Sequence, residues 1–213
     1  KRILGIGIPN GLENSMFQLG KIIVLSLVST FGTYAIAANA VCNAVANFQV
    51  LPGMAINLAI RAVIARCVGA GDYEQAEYFT KKLIRLVYLC MWIINIIVLC
   101  LMPLVLWAYN LSDITAQTAR SVLYFHSVSA CLVWPVSFSI PSVLRAAGDA
   151  KVTMVISLAS MWIFRIIFSY VLGGWLGLGV LGVWIAMVID WCVRAVCMTL
   201  RYKKGKWKEI HSI

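Results

Sequence analysis

The sequence predicts an all-α integral membrane protein, a six-helix transmembrane bundle. Composition and pattern both lead there. Hydrophobic residues make up 62% of the 213-residue chain and charged residues only 12%, where a soluble domain carries about 25% charge. Mean hydropathy is +0.90. The apolar runs are long and do not alternate: Leu86 to Trp107 holds one clearly polar side chain, Asn95. In lipid, only helices and closed barrels satisfy their own backbone. Barrel strands are ~10 residues of alternating character, whereas a helix needs ~20 residues to cross the hydrocarbon.

Six spans are expected, over about 3–31, 35–68, 81–108, 114–146, 151–173 and 179–202. The second would be ~50 Å long at ~1.5 Å per residue, so it must tilt, protrude or bend, and Pro52-Gly53 is the expected bend. Asp72 is placed to cap a short surface helix over about 73–82, with Gln75 completing a capping box. The glycines at 173, 174, 177, 179 and 182 predict a tight external hairpin. They do not form a phosphate loop, since no helix-opening Lys-Ser or Lys-Thr follows them. Asn110-Leu111-Ser112 matches a glycosylation sequon. The chain starts at Lys1 rather than Met, and its first apolar span begins almost at once with no visible signal peptide. It reads as a segment of a longer protein.

Charge orients the bundle, because Lys and Arg near helix ends favour the cytoplasm. The second and fourth connections carry Arg66, Lys81, Lys82, Arg85, Arg145 and Lys151, and the two ends add more. Both ends of the segment are therefore expected in the cytoplasm of a multi-pass cell-membrane protein. The net charge of +10 then reads as basic juxtamembrane segments on anionic lipid, without nucleic acid. Seven cysteines lie singly, with no CxxC pattern, beside only two histidines. They read as small buried hydrophobes, and neither a metal nor a cofactor is expected.

Ionisable groups at membrane depth are expensive and so mark candidate sites. Glu13 falls about ten residues into the first span, ~15 Å deep, near the bilayer midplane. On a helix, Asn10, Glu13, Asn14, Gln18 and Lys21 share an arc of about 140°, a polar face that calls for a cavity or a partner helix. A midplane carboxyl suits reversible protonation, and once ionised it suits a monovalent cation or cationic substrate; interhelical hydrogen bonds or Lys21 could instead satisfy it. Asn39, Asn43, Asn47, Asn57 and Arg61 form a second stripe within about 80°, lining a cavity or gluing helices together. Arg165, Asp190 and Arg194 are expected to form a structural ion-pair cluster between the last two helices. His126, near mid-depth of the fourth span, is either an interior hydrogen-bonded histidine or a proton or substrate contact. Trp134 beside Pro135 reads as packing at a kink.

These residues resemble a known family. Gly7-Ile8-Pro9 lies above Glu13, followed by Leu51-Pro52-Gly53 and then Val68-Gly69-Ala70-Gly71-Asp72 after the second helix. Leu144-Arg145-Ala146-Ala147-Gly148-Asp149 follows the fourth, and Gly177-Leu178-Gly179 through Trp184 opens the last. In this order, at these helix ends, the chain is similar to the C-terminal half of a multidrug and toxic compound extrusion (MATE) transporter, over nearly all its length. The resemblance implies twelve helices in two six-helix lobes around a cleft, with this chain supplying helices seven to twelve and an N-terminal lobe absent from it. It implies export of drugs or organic cations in exchange for Na+ or H+ by alternating access. Many relatives place a helix-seven carboxylate one turn further on, where this chain has Phe17.

The expected function is thus that of an antiporter lobe rather than an enzyme. Glu13, Asn14, Gln18, Asn43, Asn47 and His126 form the candidate coupling-ion and substrate cleft. The alternative is a flippase for lipid-linked saccharides or polysaccharides on a related fold. It would want several cations converging on the cavity, and the proposed polar faces offer only Lys21 and Arg61. An intramembrane enzyme would need a nucleophile or metal cluster at one depth, and none is visible in the sequence.

Overall fold

The computed structural model describes the backbone over residues 2–210 and the side chains at position 11 and from 14 to 210. The chain is helical almost throughout, without strands among the described residues. Helices α1 (Arg2–Ser29), α2 (Thr33–Gly69), α3 (Tyr73–Ala108), α4 (Asp113–Leu132) and α5 (Trp134–Ala146) follow in order. Next come α6 (Ala150–Ala159), which continues as π-helical turns over Ser160–Ile166 and Ser169–Trp175, and α7 (Gly179–Lys203). A short 3-10 turn, Lys206–Lys208, closes the described chain. Helices α2, α3 and α7 and the α6 unit (Ala150–Trp175) are each long and apolar enough to cross a membrane, and α4 with α5 together form one bent span. The protein is a multi-pass membrane protein.

Two boundaries differ from the sequence expectation. The surface helix expected over 73–82 is not separate. Asp72 does cap it, its carboxylate accepting from the Gln75 N–H at 3.0 Å, but the helix runs on from Tyr73 to Ala108 without interruption. Nothing between Phe79 and Leu83 breaks a helix: there is no Pro or Gly, and Lys81 and Lys82 are good helix formers. The fourth span, expected whole over 114–146, is broken at Val133, where α4 and α5 meet at 47°. Pro135 causes this, since it has no N–H for the ladder and its ring clashes with the carbonyl four residues back. Pro52 lies inside α2, which is one helix from end to end.

The interior is built by small residues and matched polar groups. Apolar clusters fill both halves of the bundle. Across α2 and α5, Gly53 faces the Trp134 ring so closely that a Cβ there would lie 2.2 Å from it. Trp134 stacks on Phe138 with centroids 4.9 Å apart. At the hairpin between α6 and α7, Gly177 and Gly179 take positive φ (68° and 57°), a conformation glycine adopts without cost. All seven cysteines are free thiols; Cys42 and Cys131 are buried, whereas Cys100 and Cys192 are exposed on the surface of the bundle. Beside the α2–α3 connection, the tail folds back. Trp207 is buried against Tyr202 (stacked, 5.4 Å) and Tyr73 (edge-on, 6.0 Å), and Lys208 pairs with Glu77. Arg201 pairs with Asp149 at 2.7 Å.

Candidate functional site

The polar faces of α1 and α2 open onto a groove of about 700 Å³ along one side of the bundle. Asn14, Phe17, Gln18 and Lys21 line it from α1, and Asn57 and Arg61 from α2. Trp134, Ser137, Phe138 and Arg145 come from α5, Ser157 from α6 and Arg194 from α7. Its walls carry aromatic and cationic groups on a largely aliphatic and aromatic lining. The Arg194 guanidinium lies 5.1 Å from the Phe17 ring centroid and 5.3 Å from that of Phe138, distances at which a cation is attracted to the ring face. Two buried polar atoms on the wall, Asn57 Oδ1 and Ser157 Oγ, have no hydrogen-bond partner.

A second cavity, of about 260 Å³, lies alongside and shares Lys21 with the first. Asn39, Asn43 and Asn47 line it with Arg165 and Trp184. The asparagine stripe of α2 is therefore divided: its first three members face the smaller cavity, and Asn57 with Arg61 faces the larger groove. Asn39 is also glue, because its Oδ1 accepts the Trp184 indole N–H at 3.0 Å. The two sequence alternatives for this stripe, cavity lining and packing, thus meet in one residue at Asn39.

The other candidates separate. Asn14, Gln18, Asn43 and Asn47 reach a cavity wall. The side chain of Glu13 lies outside the described residues. His126 is buried and lines neither cavity among the described residues. Its Nδ1 lies 2.9 Å from Gln49 Oε1, and its ring sits edge-on to Trp184 and Trp191. It is an interior hydrogen-bonded histidine, the other of the two sequence alternatives, and its place in the cleft is corrected accordingly. Asp190 and Arg194 pair as expected, with Arg194 Nη2 donating to both carboxylate oxygens at 3.2 and 3.0 Å. Ser160 Oγ, from the π-helical turn, lies 3.0 Å from the Asp190 carbonyl and also contacts its carboxylate. Arg165 stands beside this pair rather than in it: the charges of Asp190 and Arg194 act on it, no salt bridge to Asp190 forms among the described residues, its Nε has no partner, and it lines the smaller cavity.

Sequence reasoning missed Arg145, Arg194 and the aromatic wall as groove residues. Arg145 reads as a loop-end cytoplasmic charge, and Arg194 as an internal ion-pair partner. Arg194, on α7, meets α1 directly, with its guanidinium over the Phe17 ring, and Arg145, at the end of α5, reaches the same groove.

A bundle of apolar helices with a groove of mixed polar and apolar lining opening on one side defines a polytopic membrane protein with a side-opening cavity. The chain belongs to the MatE family, whose model matches residues 9–171. It is 25% identical over 212 residues to the uncharacterized transporter YisQ of Bacillus subtilis, covering 97% of this chain and 45% of that protein. It is 26% identical over 216 residues to a probable multidrug resistance protein NorM of Thermotoga maritima, covering 98% and 45%. Among solved structures it superposes on a mutant of the Vibrio cholerae MATE transporter VcmN with a TM-score of 0.88. That match has 17% identity and covers 97% of this chain and 47% of the other. A MATE protein in its bent conformation gives a TM-score of 0.87 at 18% identity, covering 99% and 47%. The chain spans about half the length of the relatives it matches.

Proposed function

We propose that this chain is one six-helix lobe of a secondary active antiporter that exports small molecules by alternating access, in exchange for Na+ or H+. The observation that carries the reading is the groove of about 700 Å³ flanked by Asn14, Gln18 and Lys21 of α1 and by Asn57 and Arg61 of α2. An open-sided cavity between membrane helices, apolar over most of its lining with a few polar and charged groups, suits substrate, not packing. In the full-length protein a second lobe would close the open side, in the cell membrane, with both ends of this lobe cytoplasmic. The multidrug names of several relatives support drugs or organic cations as cargo. Glu13, on the same helix as Asn14 and Gln18, is proposed as the coupling carboxylate. Ion and substrate would bias the inward- and outward-open states through their different affinities for each.

The flippase reading gains from one observation. Arg145 and Arg194 line the groove wall beside Lys21 and Arg61, with Arg194 paired to Asp190, so more cationic side chains reach the cavity than the sequence alone suggests.

Full-length protein in proteoliposomes tests the antiport proposal. Efflux of a fluorescent cargo is driven separately by a Na+ gradient and by a pH gradient, in wild type and Glu13→Gln. The proposal expects one gradient to drive efflux and the variant to lose that dependence. Efflux indifferent to both gradients removes antiport; an unaltered Glu13→Gln removes that residue from coupling.

A further inference from the structure

We infer that a notch between the α4–α5 bend and α7 binds one anionic glycerophospholipid, with its acyl chain along Val136 and Val196, its ester region at Thr199 and its phosphate at Lys203. The site is separate from the proposed cleft and does not depend on the transport reading.

The bend makes the notch. A helix broken by 47° at Val133 cannot lie flush along the unbroken α7. Leu132, Val133 and Val136 form one wall of the gap, and Cys192, Val196 and Leu200 the other, around about 410 Å³. None of its lining residues lines either cavity described above. On α7, Val196 points ~160° away from Arg194, the helix's contribution to the large groove. The notch therefore opens on the side opposite the groove. Leu132, Val196 and Leu200 are more than half exposed there, and lipid is the medium that meets them.

The order of groups along the notch matches the order of groups along a phospholipid. Lys203 closes one end. It is exposed, makes no ion pair among the described residues, and is the one charged residue on the described lining. Thr199 follows one turn deeper, ~6 Å along the axis, on the same face. Its Oγ1 has no hydrogen-bond partner, although a helical threonine ordinarily bonds a carbonyl three or four residues back. An orphaned hydroxyl marks a place where a partner is missing, and a χ1 turn presents it to an ester oxygen in the notch. Below Thr199 the lining is apolar as far as Cys192. From Lys203 to Cys192 the helix rises ~16 Å, close to the ~15 Å of one leaflet's hydrocarbon. Phosphate on an ammonium, ester on a hydroxyl and chain on aliphatic walls then fall in register. A transmembrane helix, ~10 Å across, fills on the order of 1,000 Å³ over that length; it could rest on the notch but not enter it.

Photolabelling tests the site. Full-length protein in phosphatidylcholine nanodiscs receives a trace of phosphatidylglycerol with a diazirine in its acyl chain, and the labelled residues are mapped by mass spectrometry. Label should concentrate on Leu132, Val136, Cys192 and Val196 over the exposed face of α3 at Leu89, Ile93 and Ile96. Unlabelled phosphatidylglycerol should displace it about fivefold more effectively than phosphatidylcholine, the value of one lysine near an anionic surface. Lys203→Gln should abolish that preference and Lys203→Arg keep it. Thr199→Val should weaken labelling about threefold. Val196 is 59% exposed, so Val196→Trp fills the notch without disturbing the interior, and it should cut labelling at least fivefold. Label spread evenly over α3 and α7 overturns the inference and leaves an ordinary lipid boundary. Equal displacement by the two lipids overturns it too, as does indifference to Val196→Trp. A dimer that Val196→Trp dissolves would give the face to a second copy instead, and displacement of the label by a transported cargo would give it to the cargo.

Discussion

The imidazole Nδ1 of His126 lies 2.9 Å from Gln49 Oε1, and the same Gln49 amide donates to Ser127 Oγ at 2.6 Å, so one α2 side chain ties two adjacent residues of α4. Gln49 and Ser127 are fully buried and His126 nearly so. Interhelical hydrogen bonds in lipid are worth ~0.6 kcal/mol on average, up to ~1.7, while an orphaned buried group costs ~1–3 kcal/mol. Gln49→Leu orphans two groups at once. It should lower stability by about 1–3 kcal/mol, seen as a lower unfolding midpoint in detergent. His126→Gln keeps a hydrogen-bonding side chain and lies off both cavity walls, so it should retain most efflux. A folded His126→Gln protein that no longer transports would return His126 to the cleft.

Asp190 and Arg194 are both buried, at 0% and 4% exposure. Removing one member of such a pair strands the other charge at a cost of ~3–5 kcal/mol, whereas replacing both by apolar groups is often neutral. Asp190→Ala should therefore destabilise the protein strongly. Asp190→Leu with Arg194→Met should recover most of the loss. Equal unfolding midpoints for the single and double variants would show that the charge pair is not the source of the damage.

The fold is legible in this sequence because bilayer thickness imposes a length on every apolar run. The two boundaries that differ have local causes. Asp72 is a sound N-cap, but a cap marks only a beginning, and no residue between Phe79 and Leu83 signals an end. Val133 carries no mark of a break, and Pro135 two residues on reads equally well as a kink within one span. The site is legible in α1 and α2 because Asn14, Gln18 and the asparagine stripe recur at helical spacing. It is not legible in α5 to α7. The π-helical turns over Ser160–Ile166 have an i→i+5 ladder that brings Ser160 and Arg165 toward one side, whereas ordinary helical spacing sets them well apart. Similar depth on neighbouring helices suggests that Arg165 meets Asp190, but depth does not say which side chain faces which, and it is Ser160 that contacts the carboxylate.

Trp207 is 1% exposed, packed between Tyr73 and Tyr202, with its indole N–H donating to the Tyr202 carbonyl at 3.1 Å. The tail following α7 is thereby anchored to the start of α3, helped by the Lys208–Glu77 pair. Most of the holding force is ring burial, since a half-exposed ion pair contributes ~0–1 kcal/mol. Lys203, Lys204 and Lys206 already carry exposed side chains on a held backbone, so Trp207→Ala should release the tail and speed trypsin cleavage after them, while Glu77→Gln should change cleavage little. Unaltered trypsin resistance in Trp207→Ala would show that the aromatic stack does not hold the tail.

Two glycines allow close approach, and their failures should differ. A Cβ at Gly182 would lie 2.6 Å from the Leu172 carbonyl carbon and 2.7 Å from the Gly173 nitrogen. Both are backbone atoms of the adjoining helix, which can yield only by moving as a whole. A Cβ at Gly53 would meet the tip of the Trp134 ring at 2.2 Å, and a ring can tilt. Overpacking typically costs ~1–3 kcal/mol, and more where nothing relaxes. Gly182→Ala should therefore destabilise more than Gly53→Ala, as small residues at helix seams in lipid set the approach distance. Ligand binding should order them the other way. Trp134 lines the groove and Gly182 does not, so Gly53→Ala should weaken binding of an aryl ligand while Gly182→Ala leaves it near wild type at temperatures where the protein is folded. Similar losses of stability in the two variants would mean that the seam between α6 and α7 yields as readily as the indole ring.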